Sequence, residues 1–311
     1  MGSHVLDRLH EQQIPAAILC RSNSSRLFLK DHAGWAEARI GSLNDPASLK
    51  GAMDGITHVI HCAGSTKAVR TPEFYDVNQR GTRNLVEALP PTVQRLVHIS
   101  SLAAAGPSIP GTPLSETDTP RPVSEYGRSK LAGEQEVRNH CRSEFVILRP
   151  PAVYGPRDAE FLRLFRAVQR HLRPLPSFQP LSLVFVVDLA ETIVRCLSAE
   201  KISRQTYYVS SPEVVTARGM ANEIAGQMGV WTVPLPLPTP FLWPLCLGQE
   251  LLTRVTGKAN VLSLQKYAEL RAAAWVCSPS RLQQDTGLEC RTNLRSGLKQ
   301  TLLWYRENRW L

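Results

Sequence analysis

The chain reads Arg-Leu-Val-His-Ile-Ser-Ser over residues 95–101, an apolar run that ends in two hydroxyl side chains. A short run of this kind, rich in branched residues, predicts a buried β-strand. Comparable runs occur along the first half of the chain, at residues 16–20, 57–62 and 144–148. Helical patterns separate these runs, at residues 5–12, 46–53, 71–89 and 124–140. Alternating strands and helices predict an α/β fold with a parallel sheet.

The composition of the 311 residues is that of an ordinary globular protein, with 43% hydrophobic and 20% charged residues. The net charge of +9 favours anionic ligands such as nucleotide phosphates. The basic residues form no run and accompany no zinc or RNA-binding signature, so we do not expect a nucleic-acid partner. The seven cysteines contain no CxxC pair, so we expect no metal site, no disulfide framework and a cytoplasmic protein.

The alternating pattern changes after residue 150, where prolines become frequent. The elements predicted there are a strand at 181–187, a helix opened by Asp188, a strand at 206–209 and a helix from Thr216 to about Gly229. This half of the chain predicts a smaller domain that is interleaved with the first. We place the first domain at residues 1–150, with a contribution from about 181–200, and the second at 151–311.

The segment from Ile224 to Gln249 contains no charged residue and is long enough to cross a membrane. It also contains five prolines, which cannot all lie in one continuous helix because each removes a backbone donor. We therefore favour an apolar cap over a substrate pocket. Peripheral contact of residues 230–250 with a membrane is the alternative hypothesis.

Three side chains carry the predicted chemistry. Tyr126 and Lys130 are four residues apart on a predicted helix, so both lie on one face. A nearby ammonium group lowers the pKa of a phenol, and such a tyrosine can exchange a proton with a substrate hydroxyl. Ser101 ends a buried strand, at the sheet edge where α/β folds bind ligands, and can hydrogen-bond a substrate oxygen.

Two further segments predict contacts beside these residues. Asn78 lies in a predicted helix although asparagine is a poor helix former, which indicates a local hydrogen-bonding role. Cys62-Ala63-Gly64 follows a predicted strand with small residues, which permits a ligand to approach the backbone closely.

Taken together, these motifs resemble those of the extended short-chain dehydrogenases, the NAD-dependent epimerase/dehydratase family. The matching segments are residues 61–64, 77–82, 98–101 with Gly106, the YxxxK pair Tyr126 and Lys130, 149–157 and 187–190. The resemblance implies a Rossmann-like doubly wound parallel sheet with a smaller C-terminal substrate domain. It also implies a small-molecule substrate, and a homodimer is a further hypothesis.

The family's functional residues carry over to this sequence by motif. The resemblance implies Tyr126 as general acid/base and Lys130 as the group that lowers its pKa and holds the nicotinamide ribose. Ser101 would orient the substrate oxygen, and Asn78 completes the catalytic set. The residues implied in cofactor binding are Gly2, Arg21, Leu43, Cys62, Ala63, Gly64, Tyr126, Lys130, Pro150 and Val153.

The reaction stays open between two enzymatic alternatives. The family's dehydratases carry an Asp-Glu pair directly after the catalytic serine or threonine, whereas this chain has Leu102-Ala103, so dehydration is disfavoured. Hydride transfer at a secondary alcohol or ketone of an apolar substrate is one alternative, and epimerisation of a nucleotide sugar is the other. Arg21 follows the second family strand directly, which favours NADP(H) over NAD(H), with Arg26 assisting.

The beginning of the sequence departs from the family pattern. The family opens with a strand and the glycine-rich turn TGxxGxxG, whereas Gly2 aligns here with the last of these glycines. Ser42 stands where the family usually has an aspartate near adenine. These departures predict a truncated chain that lacks the first strand and binds its cofactor weakly. A non-catalytic remnant is therefore the alternative from another functional class.

Overall fold

The computed structural model describes residues 1–22, 27–175, 179–236, 239–256 and 264–311. The strands are β1 Ala17–Cys20, β2 Glu37–Ile40, β3 His58–His61, β4 Arg95–Ile99, β5 Glu144–Arg149, β6 Ala152–Tyr154, β7 Leu172–Leu175, β8 Pro180–Phe185, β9 Gln205–Tyr208, β10 Val214–Thr216 and β11 Val233–Pro236. The α-helices are α1 Gly2–Glu11, α2 Pro46–Ala52, α3 Thr71–Tyr75, α4 Gly81–Ala88, α5 Leu102–Ala105, α6 Glu125–His140, α7 Ala159–Gln169, α8 Val186–Arg195, α9 Ala217–Met228, α10 Thr239–Thr256, α11 Leu264–Leu270, α12 Ser280–Thr286 and α13 Leu294–Glu307. A 3-10 helix covers Leu27–His32, and a π turn at Asp76–Arg80 joins α3 to α4.

A parallel sheet in the order β3-β4-β5-β9 forms the centre of the molecule. Successive side chains of a strand point to opposite faces, so Val97 and Ile99 pack with α1 and α8, whereas Leu96 packs with α2, α4 and α6. Helices on both faces of a parallel sheet confirm the predicted doubly wound α/β class. In the described residues β1 and β2 form a separate parallel pair, and no strand joins this pair to β3.

A second hydrophobic core is formed by elements that follow β5 in the chain. It is built around the sheet β10-β8-β6 and the helices α7, α9 and α13. Tyr305 of α13 is fully buried there, stacks edge-on against Phe165 and donates to the carbonyl oxygen of Asp158 at 2.5 Å. The division into residues 1–150 and 151–311 stays a prediction.

Three local predictions differ from the structure. The strand β2 is absent from the predictions because its charged residues Glu37 and Arg39 alternate with only two apolar ones. The helix predicted over 71–89 is interrupted by the π turn at Asp76–Arg80. Asp188 does not open α8, which begins at Val186, because its carboxylate accepts hydrogen bonds from the backbone and hydroxyl of Thr292.

The uncharged, proline-rich segment is divided among several elements. Its beginning belongs to α9, its middle forms β11, which pairs in parallel with β7, and its end forms much of α10. The prediction that the segment is not one helix is confirmed. Pro244 nevertheless lies inside α10, which the proline rule did not predict. Across the described ranges, no helix combines the length and the apolar character needed to cross a membrane.

Candidate active site

Several predicted site residues lie at the carboxyl ends of neighbouring parallel strands. Cys62, Ala63 and Gly64 follow β3 directly, and Pro150 follows β5 directly. Ser101 is the second residue after β4. The backbone N–H of Leu102 donates to the carbonyl of Pro150 at 2.8 Å, which ties the last two turns together. The carboxyl edge of a parallel sheet is where such folds bind ligands, so these turns mark the candidate site.

The helix α6 carries Tyr126 and Lys130 to this edge. Its first turn is capped by the hydroxyl of Ser124, which accepts a hydrogen bond from the backbone N–H of Gly127. A Cβ atom on Gly127 would lie 2.3 Å from the carbonyl oxygen of Ala103, so only glycine lets α6 lie so close to the turn after β4. This approach brings Tyr126 within hydrogen-bonding reach of the Ser101 hydroxyl.

Lys130 is buried beneath the site. Its ammonium group donates to the carbonyl oxygen of Ile99 at 2.6 Å, and only 4% of the residue is exposed. Burial lowers the pKa of Lys130 to about 8, although the carboxylate of Glu134 and the thiol of Cys62 act in the opposite direction. Lys130 is therefore still largely protonated at neutral pH and provides a positive charge next to the predicted nicotinamide position.

The acidity of Tyr126 differs from the prediction. Burial raises the pKa of its phenol, the nearby carboxylate of Glu269 raises it further, and the hydrogen bond with Ser101 opposes both. The expected lowering of this pKa by Lys130 is not found. The phenol of Tyr126 is consequently protonated at neutral pH and is ready to donate a proton.

Asn78 fastens the loop after β3 to the helix α6. Its side chain accepts from the backbone N–H of Ser65 at 2.8 Å and donates to the carbonyl of Ser65 and the hydroxyl of Ser129, both at 2.9 Å. A Cβ atom on Gly64 would lie 3.2 Å from the Asn78 oxygen and 3.5 Å from the Lys130 nitrogen. Asn78 thus makes the local hydrogen bonds that the sequence predicts, and from its place in the π turn it positions the loop after β3.

A buried ion pair holds α6 to the sheet, and the sequence analysis missed it. Arg149, the last residue of β5, binds both oxygens of Glu134 at 2.7 and 2.8 Å, and the hydroxyl of Ser100 donates to the same carboxylate at 2.5 Å. Both charged side chains are almost completely buried. Glu134 lies four residues after Lys130 on the same helix face, and this spacing was the available signal.

A second missed residue, Glu269, reaches the start of α6 from the C-terminal half. One of its oxygens accepts a hydrogen bond from the Ser124 hydroxyl at 2.8 Å, and the other pairs with Lys266 at 2.8 Å. Glu269 lies in α11, far along the chain from Ser124. No local sequence pattern connects the two positions, so this contact required the structure.

The residues assigned to the cofactor fall into two groups. A Cβ atom on Gly2 would lie 3.9 Å from that of Cys62, so the N-terminal end of α1 lies beside the turn after β3. The free backbone N–H groups of a helix N-terminus favour phosphate, and Gly64 is exposed beside Lys130, so this group fits a dinucleotide.

The remaining cofactor assignments are more scattered. Arg21 follows β1 and is exposed, the side chain of Leu43 packs near Gly81, and Val153 lies in β6. Their contacts with a cofactor stay predictions. Arg26 lies outside the described residues.

Comparisons of the sequence with known proteins identify one family and several relatives. The sequence model of the NAD dependent epimerase/dehydratase family matches residues 1–209. The ceramide reductase of Caulobacter vibrioides is 28% identical over all of this chain and 93% of its own. The UDP-glucose 4-epimerase of Vibrio cholerae is 30% identical over 71% of this chain and 73% of its own, and sterol demethylase protein B of Methylococcus capsulatus is 26% identical over 94% and 93%.

Solved structures share the architecture. The UDP-glucose 4-epimerase of Thermotoga maritima superposes with a TM-score of 0.80 at 18% identity, over 99% of this chain and 96% of its own. MoeE5, solved with UDP-glucose and NAD, gives 0.77 at 22% identity over the same shares of the two chains. The Rossmann-like fold is therefore confirmed. These coverages give no support to the expectation of a truncated chain.

Proposed function

Because the chain belongs to the NAD dependent epimerase/dehydratase family, we propose that it is an NAD(P)-dependent oxidoreductase acting on a ketone or secondary alcohol of an apolar substrate. The observation that carries this proposal is that α6 brings Tyr126 and the buried Lys130 to the carboxyl edge of the sheet, where Tyr126 lies beside Ser101. When bound, a nicotinamide cofactor would supply or accept the hydride. The chain's own residues handle the proton and the position of the substrate oxygen.

In the direction of reduction, Tyr126 donates its phenolic proton to the substrate oxygen as the carbonyl carbon becomes an alcohol carbon. The Ser101 hydroxyl hydrogen-bonds the same oxygen and fixes its place beside the phenol. Because Lys130 does not lower the pKa of Tyr126 in this structure, we assign its positive charge to holding the nicotinamide ribose and not to stabilising the tyrosinate. Proton return from solvent restores the phenol. A phenol that is protonated at neutral pH is in the form that reduction requires.

Three observations support the apolar character of the substrate. Ser101 is followed by the buried Leu102 and Ala103 at the start of α5, and not by the acidic pair that dehydration of sugar nucleotides uses in this family. The segment from Ile224 to Gln249 is uncharged, and α10, which it partly forms, packs on α11, the helix that reaches α6 through Glu269. Two relatives carry names of lipid chemistry, a ceramide reductase and a sterol demethylase protein.

Epimerisation of a nucleotide sugar is the second candidate, and the 30% identity with a UDP-glucose 4-epimerase favours it. An epimerase returns its hydride to the same substrate, so it consumes no cofactor. A reductase consumes one NAD(P)H for each turnover. For the cofactor, we propose NADP(H) on the basis of the exposed Arg21 after β1.

The test is a comparison of substrates with the purified protein. Long-chain and sterol ketones are incubated with NADPH or NADH, and cofactor oxidation is followed by absorbance. UDP-glucose is incubated with NAD and analysed for its 4-epimer. We expect NADPH oxidation with at least one apolar ketone, absent in Tyr126→Phe. Interconversion of the sugar nucleotides without cofactor oxidation would overturn the proposal. Absence of cofactor binding by calorimetry would instead favour a non-catalytic protein.

A further inference from the structure

We propose that the surface formed by β7, β11 and the exposed sides of α10 docks onto the surface of an anionic lipid bilayer. This surface is called the apolar face below, and its exposed side chains are Leu172, Trp231, Val233, Leu235, Trp243, Leu245 and Leu252. The proposal goes beyond the proposed function, since docking on a bilayer needs neither cofactor nor turnover.

The strand part of the apolar face holds a tryptophan at the surface. Trp231 is 67% exposed, and its ring stacks on His171 with 4.3 Å between centroids. The ring of His171 is itself fixed by a 2.9 Å hydrogen bond between its Nδ1 and the Trp231 carbonyl. The tryptophan is thus held on the outside of the protein, the arrangement that suits a ring at a membrane–water interface.

The helix part of the apolar face is apolar on its exposed sides as well as its buried one. Leu242 and Cys246 are buried, whereas Trp243, Leu245 and Leu252 are each about half exposed. An apolar helix surface is expected to be covered by other groups. The first ten residues of α10 include no charged residue, yet Trp243 and Leu245 remain open to solvent, so this part of the helix surface is available to a partner.

The charges next to the apolar face indicate which partner. The helix α7, which packs against β7, exposes Arg163 and Arg166, its C-cap Arg170 is also exposed, and no acidic residue occurs between positions 161 and 187. Arg166 donates to the Trp310 carbonyl, while Arg163 and Arg170 have no ion-pair partner among the described residues. Anionic headgroups above an apolar interior match this combination of arginines and exposed tryptophans.

The apolar face is connected to the candidate active site through α11. α10 packs on α11, and Glu269 of α11 accepts the hydrogen bond from Ser124 at the start of α6. Only α11 therefore separates the α10 part of the apolar face from the N-terminal end of α6, which carries Tyr126. A lipid-like substrate could pass from the bilayer to the site along this contact without crossing water.

The experiment is co-sedimentation of the full chain with vesicles of phosphatidylcholine, with and without phosphatidylglycerol, in the absence of cofactor and substrate. We expect binding to the anionic vesicles that weakens as NaCl is raised. Replacing Trp231, Val233 and Leu235 together by serine should abolish binding. Arg163→Gln and Arg170→Gln, on an exposed helix face, should each reduce the partition coefficient about fivefold.

Ile109→Ser and Leu303→Ser, exposed apolar positions outside the apolar face, serve as matched controls and should bind like the unaltered chain. Equal binding by the serine triple variant, or no binding to anionic vesicles, would overturn the proposal. So would a concentration-dependent dimer in sedimentation equilibrium that the triple variant loses, if vesicles are not bound. Because the assay uses no cofactor, failure here is distinguishable from failure of the proposed oxidoreductase activity.

Discussion

The helices α6 and α10 differ in what they bury and what they leave exposed. α6 buries two charged side chains, Lys130 and Glu134, and each has a partner within the chain. α10 leaves Trp243 and Leu245 about half exposed. A buried charge is tolerated only where it is paired or hydrogen-bonded. Residues of this chain provide the partners for both buried charges of α6, so α6 needs no further partner. The surface of α10 has the opposite character, because its apolar side chains still face water.

The largest expected effect comes from removing the proposed proton donor of α6. Tyr126→Phe should lower kcat about 10²–10⁴-fold with the accepted substrate, since a positioned acid is lost. The folded structure should persist, as judged by circular dichroism. Tyr75→Phe is the matched control, because that hydroxyl binds Glu125 outside the Ser101 turn and its loss should leave kcat nearly unchanged. Similar activities of both variants would contradict the assignment of Tyr126.

The buried ion pair offers the next largest effect. Glu134→Gln leaves the Arg149 guanidinium group buried without its charge partner, which should cost about 3–5 kcal/mol of the free energy of unfolding. Urea unfolding of the variant and of the unaltered chain measures this difference in the free energy of unfolding. Glu11→Gln, which breaks the surface pair with Arg8, should cost at most about 0.5 kcal/mol. Equal losses in the two variants would mean that burial of the pair has no energetic consequence.

Buried imidazoles should make stability depend on pH. Burial lowers the pKa of His4 to about 4 and of His61 to about 3, and that of His98 well below its usual value. Between roughly pH 6.5 and 4 the unfolded chain therefore binds more protons than the folded one, so stability falls as pH falls. Each group contributes about 1.4 kcal/mol per pH unit. His98→Leu should remove one such contribution from the slope, and an unchanged slope would be inconsistent with a buried neutral imidazole.

The smallest expected effect concerns the contact between α11 and α6. Glu269→Gln removes a negative charge that raises the pKa of Tyr126, so the alkaline limb of the kcat–pH profile should move to lower pH. The hydrogen bond from Ser124 is retained by the amide. Glu289→Gln, a carboxylate outside this contact, should leave the profile in place. A limb that moves upward in Glu269→Gln would contradict the assigned electrostatic effect.

The predictable part of the molecule is the part that local chemistry determines. The helix from Ser124 to His140, with its cap and the Tyr126–Lys130 spacing, was predicted almost residue for residue. Strands such as β4 and β5 followed from their apolar runs. These features depend on neighbours in sequence, so one sequence contains enough information to predict them.

The rest depended on contacts between distant segments. The direction of the Tyr126 pKa depends on its burial and on Glu269, which no sequence spacing reveals. The strand β2 has a weak pattern because it lies in a two-stranded pair with partly exposed sides. Pro244 inside α10 shows that tertiary packing can override a strong local preference.

The π turn at Asp76–Arg80 also limits how this protein can change in evolution. A π turn corresponds to one residue inserted into an α-helix, and each residue turns the helix by about 100°. A one-residue deletion there would restore regular helical bonding but would rotate Asn78 away from Ser65 and Ser129, or Thr82 away from His61. Lineages that keep the Asn78 contacts should therefore tolerate substitutions in this segment while preserving its length.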